Sequence, residues 1–146
     1  MERTIMMRFL LVVVTGWAAV LGTGIEVALP YLYRNAIRNT PPFAAGSFQQ
    51  PASAFRAKMW PHYWLGYALL ALVLAHSSFA MGPAMGATDA TGIWAATLAL
   101  CLLFLQVAIG LTLKSGSGDQ RSIRRWHFYC MIGFIGLVLI HLLRNT

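Results

Sequence analysis

Two stretches decide the fold: His62 to His76, HYWLGYALLALVLAH, and His127 to His141, HFYCMIGFIGLVLIH. Each begins and ends on a histidine, and these four are the only histidines in the chain. In a helix, a separation of fourteen residues is a rise of about 21 Å and a return to within roughly 40° of the starting face. Both histidines of a segment therefore face the same way, near opposite ends of a helix long enough to cross a bilayer. Aligned on their histidines, the segments share an aromatic pair after the first (Tyr63 and Trp64; Phe128 and Tyr129). They also share Leu-Val-Leu before the second (Leu72 to Leu74; Leu137 to Leu139).

The chain around them is built for the same solvent. Of its 146 residues 58% are hydrophobic and only 10% are charged, the composition of a small polytopic membrane protein. Four spans are expected, at about residues 9–33, 61–81, 93–113 and 126–143, as one transmembrane domain over residues 1–146. The architecture is all-α: an integral membrane four-helix bundle running up, down, up, down. The first apolar run continues to about Tyr33 without an Ala-x-Ala cleavage pattern, so it reads as a retained helix and not a secretory signal. Pro30 is placed to kink or end it. Pro61 suits the first position of the second span.

Among the connections, the stretch from Asn35 to Lys58 is the longest and reads as a surface loop, with room for a short interfacial helix near Phe55 to Met59. GPAMGATDATG reads as a turn, and the SGSG of KSGSGDQRSIRR as a turn whose amides could face an anion. Cys101 and Cys130 form neither C-x-x-C nor C-x-x-C-H, so no redox dithiol and no covalent haem attachment is signalled.

Up-down topology makes the second and fourth spans parallel, which brings His62 level with His127 and His76 level with His141. One imidazole in an apolar helix is ordinarily a polar packing residue. Four in two pairs of identical spacing, at two depths and without acidic companions, point to two haems, each held between two axial nitrogens. A metal or haem transporter would use the same imidazoles but would gather them at one depth with carboxylates or thiolates. A purely structural assembly subunit would leave their cost in the bilayer without return.

The neighbouring residues fit the haem reading. Gly66, Gly133 and Gly136 lie between the paired histidines and offer room for a flat ring. Arg56, Lys58, Arg121, Arg124 and Arg125 could hold propionates at the first level, and Arg144 with Arg3 or Arg8 at the second. Four propionates would bring the formal charge of +7 to about +3, which removes the case for a nucleic-acid partner. Trp60, Trp64 and Trp126 suit either a haem edge or a membrane-interface anchor. Two imidazoles leave no open coordination site, which favours electron transfer over oxygen chemistry.

Glu26 and Gln106 are polar residues within spans, at similar depth, and could line one pocket for a quinone or a proton. For Glu26 the plainer expectation is an interfacial carboxylate that snorkels or pairs with Arg34. For Gln106 it is an interhelical hydrogen bond. The first and third connections hold eight Lys and Arg and the other face three. The positive-inside rule then puts both termini outside, although cations recruited by propionates would bias that count.

At this point the chain resembles a family. Paired histidines fourteen apart on two parallel helices of a four-helix bundle look like the N-terminal haem-binding half of cytochrome b from quinol:cytochrome c oxidoreductases. The resemblance covers about half the chain and rests on the histidine spacing. It implies that His62, His76, His127 and His141 are axial ligands of two haems b, one near each membrane face. It does not extend to that family's glycines fourteen apart on the first and third helices: Gly16 meets Pro30 and Gly92 meets Gln106. The spacing is also similar to that of ferric-reductase and NADPH-oxidase membrane domains and of small bacterial di-haem cytochromes b. The expected function is transmembrane electron transfer between the quinone pool and a redox partner protein, in a bacterial cytoplasmic membrane. With no soluble catalytic domain in view, a subunit of a larger oxidoreductase is favoured over a standalone quinone-linked enzyme.

Overall fold

The computed structural model describes residues 2–38, 59–81 and 89–145. Among the described residues are four helices: α1 (Glu2–Arg38), α2 (Trp60–Ala80), α3 (Ala90–Ser115) and α4 (Gln120–Asn145). All four are long and apolar enough to cross a membrane, with mean hydropathy of their best windows between 1.4 and 2.3. The chain is an all-α bundle of membrane-length helices.

The helices overrun the expected spans. At 37 residues, α1 is about 55 Å long, well beyond a hydrocarbon core of about 30 Å. Pro30 lies inside α1 and does not end it; having no N–H, it leaves the Glu26 carbonyl one turn back without its helical partner. Helix α2 starts on Trp60, one residue before Pro61. Helix α3 takes in Ala90 to Gly92, which had read as turn. Most of the long connection, Arg56 and Lys58 included, and its expected interfacial helix lie outside the described residues.

The SGSG turn closes on itself. Gly116 and Gly118 both take φ of 73°, the left-handed conformation that glycine adopts without a Cβ penalty. Gly116 thereby ends α3. Ser115 and Ser117 share a hydroxyl contact of 2.8 Å, and the Ser117 amide donates to Ser115 Oγ. Asp119 caps α4 by accepting from the Arg121 amide at 3.0 Å. The turn's polar groups are engaged with each other and with α4.

Packing divides the bundle into two hairpins. α1 lies along α2 and α3 lies along α4, whereas α2 and α3 approach only briefly. Helices α2 and α4 are not among the closely packed pairs, although they carry the facing histidines. The apolar centre is Leu69, Ala99, Leu103 and Phe134, with Ala19, Val73 and Val138 against it. Small residues allow these approaches. A Cβ on Gly22 would touch Leu69 Cδ1 at 3.4 Å, and one on Gly133 would meet Leu102 Cδ1 at 3.0 Å. Such close contact is how helices associate where lipid supplies no hydrophobic drive.

Candidate functional site

The four histidines meet in the two pairs that their spacing implies. His62 faces His127 with ring centroids 6.5 Å apart and planes at 74°. His76 faces His141, also at 6.5 Å, with planes at 85°. A direct N–H···N bond of about 2.9 Å would bring imidazole centroids to about 5 Å, so the paired rings are not bonded to one another. A metal held end-on between two imidazoles, at about 2.0 Å from each nitrogen, would set the centroids about 6.3 Å apart. The observed separation fits the second arrangement. It also falls within the range of edge-to-face ring packing, so the surroundings of each ring must distinguish the two.

At the His76/His141 level those surroundings are specific. His76 Nδ1 lies 3.1 Å from the Val12 carbonyl and 3.2 Å from Thr15 Oγ1. His141 Nδ1 lies 3.0 Å from the Gly92 carbonyl. A carbonyl can only accept, so at His76 the Nδ1 atom carries the proton and Nε2 is left with its lone pair, the tautomer of a ligand imidazole. His141 Nδ1 also lies 3.1 Å from Asn145 Nδ2, a donor, so there the carbonyl and the amide favour opposite tautomers. Two glycines permit these contacts. A Cβ on Gly16 would stand 3.1 Å from His76 Cε1, and one on Gly92 would run into the Asn145 amide. Asn145 in turn donates to the His141 carbonyl at 2.8 Å.

The His62/His127 level is held otherwise. Glu26 Oε1 lies 3.0 Å from His62 Nδ1, but off the ring N–H direction, so Nδ1 has no aligned hydrogen bond. This is a close charge contact. It replaces the pairing with Arg34 expected for Glu26. His127 packs beside Gly110, where a Cβ would come within 3.7 Å of its Cε1, and its Nδ1 has no partner. Among the described residues the buried side-chain polar atoms without a partner are Glu26 Oε2, His62 Nδ1, Gln106 Oε1 and His127 Nδ1. All four belong to this one level. Such orphans are rare in folded proteins and mark strain, function or a missing partner.

Glu26 and Gln106 do lie at matching depth: Glu26 against His62, Gln106 one turn along α3 from Gly110. No hydrogen bond between them is present, and each keeps an orphaned oxygen. They flank the two histidines from opposite hairpins.

Other residues move from their expected roles. Gly136 is nine residues, or two and a half turns, from His127, so it faces away from the histidine side of α4, and a Cβ there would meet nothing within 4 Å. Gly133 packs against α3 and Gly66 against Glu26. The glycines that make room for imidazoles are Gly16 and Gly110, on the partner helices. Trp60, Trp64 and Trp126 are about three-fifths exposed, on the outer surface of the helices. Arg121, Arg124 and Arg125 are exposed at the head of α4, and Arg144 is exposed at its end. Arg8 helps line a cavity of about 500 Å³ with Thr4, Met7, Leu11, Ser78, Phe79 and Met81, at the His76 end.

Two features escaped the reading of the sequence. Leu69 and Phe134 each sit seven residues from either histidine of their helix, on the same face, and are 4% and 6% exposed. They fill the space between the two levels. The heptad from His62 through Leu69 to His76, repeated from His127 through Phe134 to His141, was the available signal. Lys114, at the end of α3, places Nζ 5.3 Å from the Tyr63 ring centre and adds a cation beside His62.

Each pair thus offers two imidazoles, and the first level adds the Glu26 carboxylate on the Nδ1 side of His62. Among the described residues no three His, Cys, Asp or Glu side chains gather into a metal-binding group. A metal at either level would need further ligands from beyond the described side chains. Comparison with known proteins returns no matching family model, no matching curated protein and no matching solved structure, so the site stands on its own geometry.

Proposed function

We propose that this chain is a di-haem membrane cytochrome b, with one haem b between His62 and His127 and another between His76 and His141. One observation carries the reading: two facing imidazole pairs, each at 6.5 Å, on helices that do not otherwise pack closely. Haem, when bound, supplies one-electron chemistry at an iron with no open position. The chain's residues hold it, shield it and set its surroundings. Lys114, Arg121, Arg124 and Arg125 supply positive charge at the first level, and Arg8 and Arg144 at the second. Leu69 and Phe134 exclude water between the levels.

Two sites, one toward each membrane face, suit electron transfer across the bilayer between the quinone pool and a redox partner. The setting is a bacterial cytoplasmic membrane, and the role that of a subunit or partner of a larger oxidoreductase. The orphaned atoms of Glu26 and Gln106 support a quinone or proton role at the first level. A bare-metal transporter would need a third protein ligand, and none gathers among the described residues.

The test is a reduced-minus-oxidised absorption spectrum with haem quantified per chain. A low-spin b-type signal at about two haems per chain is expected, and a colourless protein refutes the reading. Addition of a reduced quinol should then reduce the haem. If it does not, the quinone assignment falls while the di-haem one stands.

A further inference from the structure

Among the described residues, the one carboxylate paired with a histidine is Glu26, at the first level. Glu26 lies within α1, its side chain 18% exposed, with Oε1 3.0 Å from His62 Nδ1. Gly66 makes the space: a Cβ there would stand 3.2 Å from Oε1. An ionisable group at this depth is costly unless partnered, and its other oxygen is buried without a partner. The corresponding partners of His76 and His141 are the neutral backbone carbonyls of Val12 and Gly92.

We infer that Glu26 is a positioning residue for His62 and holds the haem site of His62 and His127 at a lower reduction potential than that of His76 and His141. The inference rests on the di-haem reading above. A carboxylate beside Nδ1–H favours the tautomer with Nε2 free and makes the imidazole a stronger donor. A donor so strengthened, with a negative charge beside it, stabilises the oxidised iron over the reduced one. A carbonyl does the first and lacks the net charge for the second. The charge effect needs only proximity. Among the described residues the only ion pair to a histidine is that of Glu26 with His62; Asp89, one turn before Gly92, makes none with His76 or His141.

Potentiometric titration of the purified full chain, followed optically, tests this. Wild type should show two one-electron transitions, and His76→Ala should leave the lower one. Glu26→Gln keeps an acceptor but removes the charge. It should shift the lower transition toward reduction by about tenfold in equilibrium, about 59 mV for one electron, and leave the upper in place. Glu26→Asp, which keeps the charge, should restore most of the difference. The inference is overturned if His76→Ala leaves the higher transition, or if Glu26→Gln moves both transitions equally or neither. Should Glu26→Gln lose haem altogether, the His76→Ala assignment still decides. A wild-type chain without haem would refute the di-haem reading itself, whereas two haems whose potentials ignore Glu26 would refute only this inference.

Discussion

At the His76/His141 level both Nδ1 atoms face backbone carbonyls, whereas at the His62/His127 level one faces a carboxylate and the other has no partner among the described residues. The ring-to-ring separation is the same in both. Main-chain carbonyls, with Thr15 and Asn145 beside them, meet the second-level rings, and the neighbouring glycines fix how close the rings lie. Side chains hold the first level, where charge and hydrogen bonding can be altered one residue at a time. The two levels share a geometry and differ in what can tune it.

The largest way to break the comparison is to remove one ligand from each level. His127→Ala and His141→Ala should each lower haem content from about two to about one per chain, measured as the pyridine haemochrome. The surviving spectrum should differ between the two variants, because the groups facing Nδ1 differ between the levels. Identical survivors would erase the distinction.

A smaller change targets the second level alone. Gly16→Val would push a branched side chain at His76 Cε1, already 3.1 Å from where a Cβ would stand. It should deplete the His76/His141 haem while leaving the His62/His127 haem at full occupancy, as read from the two transitions of a redox titration.

The layer between the levels comes next. Phe134→Ala removes the ring from the apolar centre and should lower stability by about 3 kcal/mol, seen as earlier thermal loss of structure by circular dichroism. Haem content at low temperature should hold at both levels, because neither imidazole pair touches this position directly. Loss of one haem only would mean that the layer supports one level and not the other.

The smallest expected effect is Gln106→Leu. A buried amide whose oxygen has no partner among the described residues contributes little, and replacing it with an apolar group is near neutral, within about 1 kcal/mol. The spectrum of the His76/His141 site should be untouched, and any change should be confined to the His62/His127 site. A large loss of stability would show that Gln106 has a partner at that level after all.

The bundle and the pairing of the histidines were legible because both rest on periodicity: apolar length sets the spans, and fourteen-residue spacing sets the faces. The partners of Nδ1 were not legible. Val12 and Gly92 contribute carbonyl oxygens, which every residue has, and only the register between helices selects them. Glu26 stood out as an acid within a span, but its partner was sought on its own helix at Arg34. The antiparallel run of α1 along α2 brings His62 to it instead. Gly136 lies between two histidines in sequence but half a turn from the face of His127, with open space beside it.

The division into hairpins has a consequence for how the protein is put together. The hairpin of α1 and α2 owns His62 and His76, and that of α3 and α4 owns His127 and His141, so neither hairpin contains a complete site. On the di-haem reading, cofactor insertion is then the step that clasps two half-molecules, and its binding energy becomes assembly energy. A chain divided within the segment between α2 and α3, with both halves coexpressed, should copurify as a pair when haem synthesis is sustained and come apart when it is starved.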